Sequence, residues 1–134
     1  MQYEILTRSQ KTRNLIDSIM PSMIRQLGLT NSRKFVLIEV SRACGNVQGA
    51  TTPLPGLNSY VIVLKPCRWE EMGTTLAHEM VHVRQLAKGI LRTEDGKRWW
   101  RGKLYSKRTK YMDQPWELDA FAQQEIIFRR ALEE

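Results

Sequence analysis

The only two histidines in this chain of 134 residues, His78 and His82, stand four positions apart inside TTLAHEMVHVRQ. Residues four apart on a helix lie one above the other, about 40° apart around its axis, so both imidazoles can reach one point. The surrounding sequence, from about Trp69 to Lys88, has helical spacing. Leu76, Met80, Val83 and Ala87 form a stripe opposite the histidines, which marks the expected core face. The histidines share their own face with Thr75 and Gln85, which are expected to border an open cleft. Glu70 and Glu71 suit the positive end of this helix, and Gly89 followed by Ile90 is a glycine stop with a hydrophobic latch.

The flanking segments complete an α+β domain, with a single domain expected over 1–134. Leu15, Ile16, Ile19, Met23, Ile24 and Leu27 recur at helical spacing between about Arg8 and Gly28. Pro21 interrupts that pattern and predicts a kink or two shorter helices, and Gly28 is a suitable C-terminal cap. Lys34–Ser41 and Tyr60–Leu64 are rich in β-forming residues and read as strands. Gly45–Ser59 holds Gly49, Pro53, Pro55 and Gly56 and reads as a long loop with room for a short edge strand. Lys97–Ser106 suggests one or two short strands. Asp113-Gln114-Pro115 opens a last helix running to about Leu132. The expected order is helix, strands, helix, basic hairpin, helix.

His78-Glu79-Met80-Val81-His82 is an H-E-x-x-H pattern. Neutral imidazole is a good ligand for Zn²⁺, and an open coordination position acidifies a water. Glu79, beside a ligand, can take that water's proton. The alternative is two ordinary helix histidines with Glu79 paired to a surface cation. A catalytic zinc needs a third protein ligand, and no third histidine exists, so the candidates are Asp, Glu or Cys. Glu117 is the best of them, because it opens the last helix on the face of Phe121, Gln124, Phe128 and Ala131. A carboxylate on that mostly apolar face needs a partner. Its other reading is a helix-capping acid, and Cys67 is a weaker candidate, since a free buried cysteine is commoner.

The run HEMVHVRQ, a Trp-rich basic segment with Gly102 and Tyr105, and then PWELDAF resembles the small zincin-type metallopeptidases of bacteria and phages. The resemblance covers roughly Tyr60 to Phe128. An H-E-x-x-H with a downstream Glu is similar to the gluzincin branch in minimal form. This implies a zincin-like domain whose C-terminal helix carries the third ligand. His78, His82 and Glu117 would hold zinc, Glu79 would be the general base, and the substrate would be a peptide or protein. Tyr111 or Tyr105 could donate a hydrogen bond to the oxyanion, the alternative for each being a buried tyrosine with a satisfied hydroxyl. By the same analogy an edge strand within Ala43–Val63 would align the peptide backbone. Three features depart from the relatives. Phe121 stands where many gluzincins have an acid orienting the first histidine, and Asp119, two positions on, is expected to point elsewhere. The third histidine and cysteine ribbon usual in SprT-like proteases are both absent.

Charge supplies a second clue. The chain carries 21 Lys and Arg against 14 Asp and Glu, a net +7. Arg84–Lys110 alone has ten cations opposed only by Glu94 and Asp95, so the excess is concentrated there. Trp99, Trp100, Tyr105 and Tyr111 are interleaved with Arg98, Arg101, Lys103, Lys107, Arg108 and Lys110. That mixture is compatible with nucleic-acid contact, with an acidic protein partner, or with a solvated hairpin whose tryptophans enter the core. No apolar run reaches the roughly 18 residues of a membrane span. Two cysteines and no secretory signal pattern lead to a cytoplasmic expectation.

Overall fold

The computed structural model describes all of residues 1–134. In chain order the elements are β1 (Gln2–Leu6), α1 (Gln10–Gln26), β2 (Phe35–Val40), β3 (Gly49–Leu54), β4 (Ser59–Leu64), α2 (Trp69–Ala87), β5 (Leu91–Glu94), β6 (Lys97–Trp100), β7 (Lys103–Tyr105) and α3 (Pro115–Glu133). They form a mixed α+β arrangement of three helices and two small sheets. The first sheet has the order β1-β2-β4-β3, and the second is β5-β6-β7. In the first, β1, β2 and β4 are parallel, while β3 pairs antiparallel with β4 at the edge.

Register explains how this sheet meets the helices. Ile5, Ile38, Ile62 and Thr51 lie in one row across the four strands. Side chains alternate faces along a strand, so this row and its second neighbours share a face. Val36 with Tyr60, and then Leu64, continue it, and all are buried in the same 23-residue apolar cluster as the helices. The row is apolar until it reaches the edge, where Thr51 replaces the isoleucines. Gly49 and Pro53 share that face of β3, and the edge position tolerates a proline that has no N–H to donate.

β1 lies outside the expected order. Its sequence, QYEIL, is short and half polar, and its place is set by parallel pairing with β2 through α1. Ser9 caps α1 by accepting from the Thr12 amide. Gly28, at φ 69°, closes it with the Leu29 amide bonded to the Ile24 carbonyl. The break expected at Pro21 does not divide the helix, since Gln10–Gln26 is one element. Pro21 and Asp17, whose carbonyl loses its partner, are both on the solvent side. Ile16, Ile19, Met20 and Met23 are fully buried on the other side and hold both halves together.

α2 packs against the sheet and α3. Gly73 makes the close helix crossing possible, because a Cβ there would overlap the Phe128 ring. At the far end of α3, Gln26 on α1 donates to the Ile127 carbonyl at 3.0 Å, and Ser22 and Arg25 bond Glu134. These contacts fix the axis of α3 so that its first turn lies beside the histidines. The basic segment forms three strands rather than one or two, beginning at Leu91. Tight turns at Asp95-Gly96 and Arg101-Gly102 join them, all four residues having positive φ.

Candidate metal centre

His78, His82 and Glu117 present one ligand atom each, all within 4.8 Å of one another. Glu117 Oε1 lies 2.9 Å from His78 Nε2 and 3.1 Å from His82 Nε2. Ligand atoms around a tetrahedral zinc at about 2.0–2.1 Å stand about 3.4 Å apart, so a small outward shift would admit the ion. Two imidazoles and a carboxylate are a donor set that suits zinc. The donors therefore fit a metal, and Cys67, half-buried against the core, is not among them.

The opposite ring nitrogens are held as firmly. Gln85 donates its amide to the Trp116 carbonyl and to Asp119 Oδ2, both at 2.9 Å. Its amide oxygen must then face His82 Nδ1, 2.8 Å away. Nδ1 therefore carries a proton. Nε2 carries the second and donates to Glu117 when the ring is charged, and loss of that second proton leaves an Nε2 lone pair directed at the shared point. Gln124 Oε1 lies 2.8 Å from His78 Nδ1, on the side of the ring away from Glu117. Two sequence expectations are corrected here. Gln85 does not border an open cleft but is fully buried, and Asp119 does not point elsewhere but fixes Gln85.

Electrostatics bind the cluster together. Burial favours a neutral Glu117, but hydrogen bonds from His78 and His82 outweigh it and hold the carboxyl well below its usual range. Burial likewise opposes charge on His82, yet the hydrogen bond and charge of Glu117 raise it above its ordinary value. Glu117 also sits in the first turn of α3, where the helix dipole favours an anion.

Glu79 is buried one residue from His78, and Thr51 donates to its Oε1 at 2.6 Å. Its second oxygen accepts no hydrogen bond and is not sealed from solvent. Gly49 permits this contact, since a Cβ there would stand 2.7 Å from Thr75 Cγ2 and 3.4 Å from Glu79 Cγ. A cavity of about 920 Å³ opens over the group, lined by Glu79, Thr75, Glu70, Glu71, Phe121 and the start of β3 among others. Tyr111 reaches it as well, its hydroxyl donating to Glu117 Oε1 at 3.2 Å. Burial, then the charge and hydrogen bond of Glu117, push that hydroxyl up to about 12, so it is a donor at neutral pH. Tyr105 stacks edge-on against Trp116 at 5.7 Å instead.

The basic residues are not gathered on one surface. Leu91, Trp100 and Lys103 form one row, and Thr93, Arg98 and Tyr105 form another on the same face. That face turns toward the body, as the burial of Leu91 requires. Arg92, Trp99 and Leu104 lie on the other face. The tryptophans do not enter the core. Arg92 covers Trp99 at 4.1 Å and Arg101 lies 5.8 Å from Trp100. Lys107, Arg108 and Lys110 are exposed in the following loop.

Thr51, Gln85, Asp119 and Gln124 are the site residues that the sequence did not reveal. Gln124 had a signal, standing seven positions from Glu117 on the same helical face. Thr51 had none, because its role depends on strand register.

Against this geometry, comparisons with known proteins add no relative: no family model, no curated protein and no solved structure matches the chain. No helix is long and apolar enough to cross a membrane.

Proposed function

We propose that this chain is a zincin-like, zinc-dependent peptidase. The observation that carries the reading is the convergence of His78 Nε2, His82 Nε2 and Glu117 Oε1 beside a carboxylate, Glu79, that has one anchored and one open oxygen. Zinc held by those three residues would supply the Lewis acidity that makes water a nucleophile near neutral pH. Gln85 keeps the His82 ring in the tautomer that frees Nε2 for the metal, and Gln124 lies at the corresponding nitrogen of His78. Glu79 takes the proton from the attacking water through its open oxygen and passes it to the leaving amine. Thr51 keeps the carboxylate aimed through its hydrogen bond to the anchored oxygen. Tyr111 is the nearest hydroxyl able to donate to the oxyanion of a substrate carbonyl. The outer edge of β3 has no strand partner, so an extended peptide can add to it beside the site.

Zinc-loaded protein incubated with broad peptide libraries should give cleavage that Glu79→Gln abolishes while zinc is retained. Identical behaviour of wild type and Glu79→Gln would refute the reading. A second reading, a nucleic-acid or acidic-protein binding module, is favoured by the cations of β5–β7, of which only Arg92 has a carboxylate partner. It ranks second because Arg92 already covers the Trp99 face a base would need. That reading predicts salt-dependent binding to single strands or to an acidic protein, unaffected by Glu79→Gln.

A further inference from the structure

A second cavity, of about 470 Å³, joins the metal centre at Thr51, His82 and Glu117 and runs away from Glu70 and Glu71. Its walls are β3, the end of α2, the inward face of β5–β7 and the first turn of α3. Three cations line it: Arg98 on the inward face, Lys107 in the loop after β7, and Lys97 at the rim, where strand register places it on the outer face with Arg92 and Trp99. The only carboxylate among its lining residues is Glu117 of the metal centre. None of the three has a carboxylate partner, since the ion pairs in the chain are Arg25–Glu134, Arg92–Glu94 and the two histidines with Glu117.

Arg98 is the one of the three that lies over an aromatic ring. Its guanidinium lies 5.4 Å from the centre of the Trp116 ring, and Trp116 is buried beside Glu117. Tyr105 supports the same ring edge-on. Contact with a buried indole restricts the guanidinium, which lowers the side-chain freedom lost when a carboxylate arrives. The cavity is of a size that receives a side chain. The 920 Å³ cavity on the other side carries Glu70, Glu71 and Glu79. An extended chain crossing the metal centre along β3 would therefore meet negative groups at one end and positive groups at the other.

We propose that the 470 Å³ cavity is a specificity pocket for an acidic side chain of a polypeptide substrate, with Arg98 as its anchor and Lys107 supporting it. The proposal deepens the peptidase reading and rests on it for the word substrate. The pocket's preference can be tested without turnover.

Labelled peptides differing only by Glu, Gln or Lys at one position, scanned along the sequence, are titrated by fluorescence anisotropy into zinc-loaded Glu79→Gln protein. At one position Glu should bind about tenfold more tightly than Lys, the scale of one charge-assisted contact. Arg98→Glu should reverse the order, Arg98→Lys should keep its sign, and Lys107→Glu should weaken it. If Arg98→Glu does not fold, Lys107→Glu and Arg98→Lys carry the test. No charge preference at any position, or one unchanged by these variants, overturns the pocket. So does a single-stranded oligonucleotide that displaces the peptide through Arg98. Cleavage that depends on Glu79 without acid preference would sink this inference alone. Acid preference that Arg98→Glu reverses, without cleavage by wild type, would sink the peptidase reading and leave the pocket.

Discussion

Around His78 and His82 each ring nitrogen has a defined partner, and the groups behind them are fixed in turn by α3. Around β5–β7, less than a cavity's width away, Lys97, Arg98 and Lys107 have none. The first region is buried and over-determined, as a centre that must hold donor atoms at fixed separations requires. The second is short-stranded and open. Arg98, Arg101 and Lys103 lie over aromatic rings and, unlike Arg92, beside no carboxylate, which leaves their charge available to something else. On the proposed reading, the contrast would separate chemistry from recognition. Loss of one contact in the first region should propagate, whereas loss in the second should stay local.

Gln85→Leu is the sharpest way to break the first region. It strips partners from His82, the Trp116 carbonyl and Asp119 at once. We expect zinc affinity to fall by about 10–100-fold, measured by chelator competition. Stability should fall by about 1–3 kcal/mol, measured by urea denaturation. Gly73→Ala attacks the same region from a distance by overlapping Phe128. It should cost about 1–3 kcal/mol as overpacking does, and Phe128→Leu in the same chain should recover part of that loss. If the double variant is simply the sum of the singles, the helix crossing is not governed by this contact.

Acid and base act on the pair of charges left when metal is removed. The lowered Glu117 contributes stability that is present above its ordinary 4.5 and lost as pH falls through its lowered value. The raised His82 contributes stability that is present below its ordinary 6.5 and lost as pH rises through its raised value. Metal-free protein should accordingly melt at its highest temperature between pH 4.5 and 6.5. Zinc, which displaces the shared proton, should move that optimum upward. A thermal-shift series with and without chelator reads both. The smallest effect belongs to the second region. Lys103→Ala and Leu104→Ser, both at exposed positions, should change stability by less than about 0.5 kcal/mol and leave zinc binding unaltered.

The same division runs through what the sequence could convey. α2 and the opening of α3 were legible because their signals are local: a 3.6-residue stripe, a glycine stop and Pro115 at the first turn. His78, His82 and Glu117 followed from helical spacing and from the lack of any third histidine. β1 was not legible, because QYEIL becomes a strand only when β2 is beside it. Thr51 needed the register of four strands, and the Gln85–Asp119 link needed the distance between two helices, joining residues 34 apart in the chain. Of the outcomes expected at Pro21, the division into two helices does not occur, because propensity is local while the burial that keeps α1 whole is not. Nothing in the spacing of the basic segment told which cations would face the cleft.

The central claim is that three side chains from two helices hold one metal ion. Elemental analysis of tag-free protein, for wild type and Glu117→Ala at matched concentration, tests it most directly. The account predicts close to one zinc per chain in wild type, and zinc lost or bound far more weakly in Glu117→Ala. Wild-type protein that takes up no metal after reconstitution, or Glu117→Ala that retains it undiminished, would contradict the account.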